Sequence, residues 1–269
     1  MNLNLFRKEM KRNAVTLTVW MTVITLLISV TMSFYGTFLE NQSKILGMMS
    51  LVPKSALQFK GISNFSDLLS VLGFYSANNI IYMMLLGSIY AIVLSSNILM
   101  KEEYGKTAEY LLAWPVTRSE VFITKLAVVT VNILLLNIVT ALAGFICLEL
   151  VKREPYNLSA FLILSFYTIL LNLLFCSIGF FLSAMIKRPK PVTTFSIGLV
   201  LIFYFIYTLS KITEGAAKIG YLSPFRYADV NAIDPAYKLD IWNIFYFTGL
   251  SLLLTGISYR LYRRRDIYT

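Results

Sequence analysis

The chain has 269 residues, of which 57% are hydrophobic and only 14% are charged, and its mean hydropathy is +0.69. A soluble domain carries about a quarter charged residues, so this composition excludes an ordinary water-soluble protein and favours one solvated by lipid. The 24 Lys and Arg residues against 14 Asp and Glu give a net charge of +10. Membrane orientation and anionic lipid headgroups account for this excess, so the charge does not predict a nucleic-acid partner.

The N-terminus, residues 1–13, has the pattern of a basic amphipathic helix. Its apolar side would carry Leu3, Phe6, Met10 and Ala14. Its opposite side would carry Arg7, Lys8, Lys11 and Arg12. Helices of this kind lie in the headgroup layer of a membrane, so we expect an interface helix before the chain turns into its first span. The same charges would also serve simply to orient the chain.

Six apolar runs are each long enough to cross the hydrocarbon core as a helix, which takes about 20 residues. They cover residues 14–38, 80–100, 121–148, 158–186, 192–209 and 241–261. The runs are continuous rather than alternating, which favours helices over the strands of a barrel. The predicted fold is therefore an all-α integral membrane protein, with one six-span transmembrane domain over residues 14–269.

An even number of spans places both termini on one side of the membrane. With both termini inside, the four inner segments hold four, four, three and four of the 24 Lys and Arg residues. The longer outer segments hold the other nine. Because basic residues concentrate on the inner side, this distribution predicts cytoplasmic N and C termini.

Two long outer segments and one tight inner turn connect the spans. Residues 39–79 include the apolar cluster LLSVLGFY, which we expect to pack on the outer mouth of the bundle. Residues 210–240 mix glycine, proline and polar residues, which predicts short broken helices that dip toward the membrane before the last span. The sequence KRPKP at 187–191 predicts a rigid inner turn between spans four and five.

The segment between spans two and three is the most polar stretch in the middle of the chain, and it includes EYGKTAEYLLAWPVTRSEVFITK, residues 103–125. As a helix, it would have an apolar side of Tyr104, Ala108, Leu111 and Leu112 and a polar side of Glu102, Gly105, Lys106 and Glu109. Trp114-Pro115 would end that helix, since a residue before proline avoids the helical region. Thr117 or Ser119 would then cap the next helix. We therefore predict a short helix on the inner membrane surface, joined rigidly to span three.

This segment resembles the signature of ATP-binding-cassette export permeases of the type-2 class. The matching residues are Glu103, Gly105, Glu109, Leu111, Leu112, Pro115, Val116, Thr117, Arg118 and Lys125. The sequences LSPFRY at 222–227 and RRRDI at 263–267 also resemble that class, and the likeness extends over the whole chain. Lys106 departs from the pattern, because members of the class often carry a small residue or threonine there.

The resemblance implies that the segment is a coupling helix, which would insert in a cleft on a separate nucleotide-binding subunit. The implied contact residues are Glu102, Glu103, Gly105, Lys106, Glu109, Leu112, Pro115 and Arg118. The N-terminal helix would flank the same contact through Phe6, Arg7, Lys8, Met10 and Lys11. The plainer alternative for each glutamate is a solvated helix face with an internal Glu102–Lys106 pair, worth only about 0.2–0.5 kcal/mol.

The sequence lacks the residues that would let the chain act as an enzyme by itself. It has no GxxxxGK[ST] run to cradle ATP phosphates and no histidine for acid–base work or metal binding. We therefore expect no cofactor in this chain, with ATP and Mg²⁺ bound by a partner ATPase. A carboxylate within a span would indicate an ion-coupled carrier, but Glu149 lies at a span edge beside Lys152, where a boundary pair is the plainer interpretation.

Polar and aromatic residues within the spans have two interpretations. They form a translocation path or dimer seam, or they hold helices together by hydrogen bonds and packing. The residues in question are Asn132, Asn137, Asn172, Phe203, Tyr204 and Tyr207. An uncharged path suits an amphipathic or hydrophobic cargo, with a peptide slightly favoured over an antibiotic or lipid-like molecule.

Six spans are half the complement that the resemblance implies, so a homodimer of permeases is the simplest assembly. The composition is typical of an AT-rich bacterium, which places the expected site of action in the bacterial plasma membrane. Two other functions stay open. One is a non-transporting immunity or sensor module that binds an antimicrobial ligand and docks an ATPase, and the other is a passive channel.

Overall fold

The computed structural model describes residues 2–43, 68–104, 117–186, 189–212, 214–229 and 239–264, and within these ranges it contains helices and no strand. The α-helices are Leu3–Ser33, Tyr35–Glu40, Val71–Asn79, Gly87–Tyr104, Arg118–Val151, Leu158–Met185, Pro189–Ile212, Pro224–Ala228 and Ile241–Arg264. A π-helical segment, Ile80–Leu86, joins two of them, and 3-10 turns cover Glu214–Ala216 and Ile219–Leu222.

Six helical runs are long and apolar enough to cross a membrane, which confirms the prediction of an all-α, six-span membrane protein. We number them span 1 to span 6. They cover Leu3–Glu40, Val71–Met100, Arg118–Val151, Leu158–Met185, Val192–Ile212 and Ile241–Arg264. Spans 3 to 6 lie close to the predicted ranges, while spans 1 and 2 differ from them.

Span 1 and the predicted interface helix form one continuous helix. The turn that we expected near residue 14 is therefore absent from this described part of the chain. The side chain of Asn2 caps this helix by accepting hydrogen bonds from the backbone N–H groups of Asn4 and Leu5. No glycine or proline interrupts the chain before Gly36, so the helix has no local reason to break. Placement of its first turns in the headgroup layer stays a prediction.

The buried side of this helix also differs from the predicted one. Leu5, Glu9, Asn13 and Leu17 are buried, at a spacing of four residues. Phe6 and Met10 are half-buried against the core, whereas Leu3 is 60% exposed. The basic residues Arg7, Lys8, Lys11 and Arg12 are exposed, as an amphipathic pattern requires. The buried side includes two polar residues, Glu9 and Asn13, which the predicted apolar face did not include.

Span 2 begins at Val71 rather than at residue 80, so part of the predicted outer cluster is the first part of a span. Leu72 and Tyr75 are buried there, and Asn79 donates a hydrogen bond to Thr168 of span 4 over 3.5 Å. This hydrogen bond accommodates the polar side chain of Asn79 within the bundle. Most of the predicted outer segment, residues 44–67, lies outside the described residues.

Hydrogen bonds along the bundle show how the spans run. The backbone N–H of Asn2 donates to Thr124 Oγ1 of span 3 over 3.0 Å, and Ser29 lies beside Cys147 farther along both helices. Spans 1 and 3 therefore run in the same direction. The end of span 6 also reaches the start of span 3, because Tyr259 and Ser119 share a hydrogen bond of 3.0 Å. Both described termini thus lie at one end, which we call the N-terminal end of the bundle.

The core lies between spans 1 to 4, while span 6 is mostly exposed. Tyr90, Ile133 and Phe175 are among the fully buried side chains of the core. On span 6, by contrast, Trp242 and Leu252 are 81% and 74% exposed. Large exposed apolar faces of this kind require lipid or another protein as their environment.

Short helical turns precede span 6, as predicted. Phe225, in the helix Pro224–Ala228, is fully buried, and its ring lies 5.4 Å from that of Phe175 and 5.7 Å from that of Tyr204. Ser223 Oγ donates to the carbonyl oxygen of Phe203 over 2.7 Å. The segment before span 6 is therefore anchored between spans 4 and 5 by the Phe225 ring and the Ser223 hydrogen bond. An ion pair between Asp229 and Lys211 of span 5 adds to this anchoring.

Candidate functional site at the N-terminal end of the bundle

The predicted coupling segment lies largely outside the described residues, while both of its flanks are described. Gly105, Lys106, Glu109, Leu112 and Pro115 fall in 105–116, outside the described ranges. Glu102 and Glu103 belong to the last turn of the helix Gly87–Tyr104, and Arg118 is the first residue of span 3. The contacts of these residues with an ATPase stay a prediction.

Span 3 begins with a capping box, which confirms Thr117 as the cap that the sequence allowed. Thr117 Oγ1 accepts a hydrogen bond from the backbone N–H of Glu120 over 3.2 Å. In return, the Glu120 carboxylate accepts from the backbone N–H of Thr117 over 2.9 Å. These reciprocal bonds satisfy two N–H groups that a helix start leaves free and fix the angle at which the chain enters the helix.

The first turns of span 3 are also attached to span 6. Besides the Ser119–Tyr259 hydrogen bond, Arg118 Nη1 lies 3.5 Å from the carbonyl oxygen of Arg263. The ring of Phe122 lies 5.5 Å from that of Tyr259 and 5.6 Å from that of Phe180 in span 4. The sequence did not indicate these contacts, because their members lie far apart along the chain.

Lys125 attaches span 3 to span 2. Its side chain is fully buried, and Nζ donates to the carbonyl oxygen of Ile98 over 2.5 Å. Its neighbour Thr124 is also fully buried and accepts the bond from Asn2 at the start of span 1. Lys125 matched the permease signature, but the sequence did not indicate that it would be buried. A buried ammonium is costly unless it is hydrogen-bonded, and the carbonyl oxygen of Ile98 supplies such a bond.

The three asparagines that we considered as path residues connect neighbouring spans. Asn132 Nδ2 donates to the carbonyl oxygen of Val128 over 2.7 Å and lies 3.2 Å from the sulfur of Met10. Asn172 Nδ2 donates to Asn137 Oδ1 over 3.2 Å. These contacts agree with the interpretation in which the asparagines hold helices together by hydrogen bonds. A place on a translocation path stays a prediction.

The aromatic residues of span 5 that were considered for a path or seam pack largely inside the subunit. Tyr204 and Tyr207 are 6% and 3% exposed and lie against Phe225, while Phe203 is half-buried. The exposed side of the same span is formed by Phe195, Leu201, Ile202, Phe205 and Leu209. A seam with a second subunit along span 5 would therefore use this exposed side rather than the two tyrosines.

A cavity of about 560 Å³ lies at the opposite end of the bundle. Its lining is Tyr35, Leu39, Gln42, Leu69, Ser70, Val71, Leu72, Arg153, Glu154, Pro155, Tyr156 and Asn157. Nearby, Glu149 accepts hydrogen bonds from Lys152 over 2.5 Å and from Tyr156 over 2.9 Å. Burial and the neighbouring Glu149 carboxylate raise the pKa of Tyr156 to about 12. Glu149 therefore forms a boundary pair with Lys152, the plainer of its two interpretations.

Comparison with known proteins identifies the family. A family model described as ABC-2 family transporter protein matches residues 3–267. Comparison with curated proteins gives no match. In this family the membrane-spanning permease is a subunit distinct from the one that binds ATP. With its six spans and this match over nearly its whole length, the chain belongs to the ABC-2 transporter family, as the multi-pass permease subunit of an ABC transporter with an ATPase partner.

Proposed function

We propose that this permease exports an amphipathic or hydrophobic cargo, with a peptide favoured over an antibiotic or a lipid-like molecule. It would act in the bacterial plasma membrane with both termini in the cytoplasm, as a homodimer that carries two ATPase subunits. The observation that supports this most is the gathering of contacts at the N-terminal end of the bundle. There, the start of span 3, which follows the predicted coupling segment, touches the start of span 1 and the end of span 6.

The contacts suggest how a movement of the partner ATPase would reach the membrane spans. ATP and Mg²⁺ would bind to the partner, and closure of that partner would displace residues 105–116 of the permease. The rigid cap at Thr117 would pass the displacement to span 3. Because Ser119 and Phe122 contact span 6, and Thr124 contacts the start of span 1, several spans would move with it.

The exposed surfaces support the proposed class of cargo. A path between two copies of the chain would be lined by side chains that one subunit leaves exposed, such as Ile202, Phe205 and Leu209 of span 5. These side chains are apolar, and they would contact the apolar part of a peptide or lipid. A hydrated ion or a free sugar would lose its hydration in such a path without receiving hydrogen bonds in return.

The experiment measures ATP-dependent uptake of a fluorescent, cationic amphipathic peptide into inside-out membrane vesicles that contain the permease and its ATPase. We expect uptake with ATP and none without it. Glu109→Arg should abolish uptake while the permease stays folded and inserted, because it reverses a charge on the predicted ATPase contact. Pro115→Ala combined with Gly105→Leu should do the same by altering the shape of the segment.

The matched control is Glu154→Arg, the same charge reversal on an exposed residue at the opposite end of the bundle. This variant should take up peptide at the wild-type rate. Unaltered uptake and ATP hydrolysis in the Glu109→Arg variant would contradict the proposed role of the coupling segment. Uptake that is absent from wild-type vesicles for every cargo class tested would contradict export itself.

The second candidate is the non-transporting immunity or sensor module. The cavity at the opposite end favours it, because a ligand could bind there without crossing the membrane. This candidate predicts that the ATPase binds the permease and that the peptide binds without ATP-dependent uptake. A passive channel, the third possibility, predicts a conductance that persists when no ATPase is present.

A further inference from the structure

We propose that Lys125 is a positioning residue that links the end of span 2 to the start of span 3, so that both flanks of the coupling segment move together. This inference rests on the proposed function. The geometry that supports it is the hydrogen bond from Lys125 Nζ to the carbonyl oxygen of Ile98, which joins helices on opposite flanks of residues 105–116.

The position of this bond gives it mechanical importance. Ile98 lies less than two helical turns before Tyr104, and Lys125 lies about two turns after Thr117. The bond therefore joins the two flanks close to both ends of residues 105–116. Without it, a displacement of residues 105–116 could rotate one flank while the other stayed in place. With it, the two flanks respond as one unit.

A buried lysine such as Lys125 desolvates a charge, so contacts of its ammonium have to offset that cost. The side chain is fully buried, and its neighbours along span 3 include Val121, Val128 and Val129, which are fully or almost fully buried. A leucine or methionine at this position would bury its side chain without desolvating a charge. The ammonium instead reaches a backbone carbonyl, a partner that span 2 presents whatever its side chains are.

Neighbouring contacts extend the unit to other spans. Thr124 accepts the hydrogen bond from Asn2, Ser119 contacts Tyr259, and Phe122 packs against Phe180. Each of these contacts attaches the first turns of span 3 to span 1, 6 or 4, and Lys125 adds span 2. The start of span 3 is therefore the point at which a displacement is divided among the spans.

The test compares Lys125→Met with the wild-type permease in complex with its ATPase. Methionine has a similar length and lacks a donor. The readout is the amount of the fluorescent amphipathic peptide taken up per ATP hydrolysed in inside-out vesicles. We expect this ratio to fall by about 2- to 30-fold, the range seen when substitutions alter coupling between sites, while the ATPase still co-purifies with the permease. Lys125→Arg, which keeps a cationic donor, should recover part of the ratio.

Val129→Ala is the matched control, because Val129 is fully buried one turn farther along the same face of span 3. It should lower the unfolding temperature through a cavity and leave the uptake ratio unchanged. If Lys125→Met keeps the wild-type ratio, the inference is wrong although export stands. If wild-type vesicles show no ATP-dependent uptake, the proposed function fails and the inference fails with it.

A folding defect would also be decisive. If Lys125→Met does not accumulate in the membrane, Lys125→Gln takes its place, since glutamine is polar but too short to reach the carbonyl of Ile98. A reduced ratio in folded Lys125→Gln would support the inference. Failure of this variant to accumulate as well would assign Lys125 a purely structural role and overturn it.

Discussion

Gly179→Ala should destabilise the permease, because spans 2 and 4 are in close contact at this glycine. A Cβ atom at position 179 would overlap Ser95 Oγ and lie 2.7 Å from the carbonyl oxygen of Ile92. The serine hydroxyl can rotate away, although its present hydrogen bond to the carbonyl of Ala91, 2.7 Å long, would be lost. The carbonyl of Ile92 cannot rotate, because it belongs to the helix backbone. The two helices would therefore have to separate.

The magnitude follows from comparing two glycines. Extra atoms in a well-packed core cost about 1–3 kcal/mol, whereas Gly→Ala within a helix returns about 0.5–1 kcal/mol through backbone entropy. Gly249 also lies within a helix, in span 6, and a Cβ there would meet nothing within 4 Å. Gly249→Ala should therefore be neutral or stabilising. The difference between the two variants isolates the packing cost and should be about 1–3 kcal/mol.

The assay is equilibrium unfolding of the purified permease in mixed micelles, followed by tryptophan fluorescence. For a chain of this size the expected difference corresponds to about 2–12 °C in unfolding temperature. The double variant Gly179→Ala with Ser95→Gly should recover only part of the loss, because the carbonyl of Ile92 remains in place. Equal stability of the Gly179→Ala and Gly249→Ala variants would refute the close approach of spans 2 and 4.

Two further predictions concern contacts between spans. Asn172→Leu removes the donor to Asn137 and the acceptor for Ser88, so it should cost about 1–2 kcal/mol in the same assay. Adding Asn137→Leu should cost less than the sum of the single changes, and strictly additive costs would argue against the pairing. Phe225→Ala should loosen the segment before span 6, because it empties a fully buried site at a cost of about 3–5 kcal/mol. The reporter is Ala228→Cys, at a fully buried position of the same helix, which should then react faster with a maleimide. An unchanged rate would contradict the anchoring role of Phe225.

The existence and type of the six spans could be predicted from the sequence, because long apolar runs leave a chain in lipid few alternatives to helices. The beginning of span 2 could not. Asn78 and Asn79 lie in the segment 39–79, which was predicted to be outside the membrane. In the structure, Asn78 donates a hydrogen bond to the carbonyl of Phe74 and Asn79 donates one to Thr168. Local polarity thus indicated a loop, while contacts with a neighbouring span decided in favour of a helix.

The candidate site also has contacts between residues near in sequence and contacts between distant residues, and only the first kind could be predicted. The cap joins Thr117 and Glu120, which are three positions apart, and the sequence indicated it. The bonds from Lys125 to Ile98 and from Tyr259 to Ser119 join residues that are 27 and 140 positions apart. A single sequence shows no periodicity that would relate such residues. Glu9 illustrates the same limit, since a charged residue beside four basic ones gave no reason to expect it on the buried side of span 1.

The contacts between spans determine which spans move together when one of them is displaced. Helices in lipid gain little from the hydrophobic effect when they associate, so close packing and specific hydrogen bonds hold them together. At Gly179 and Gly87, spans 2 and 4 approach too closely to slide past each other, and they should therefore move as one body. Span 3 joins this body at its first turns through Lys125. Gly179→Ala therefore tests the integrity of the body formed by spans 2 and 4, whereas Lys125→Met tests its attachment to the coupling segment. A permease that tolerated the second change and not the first would transmit force through packing alone.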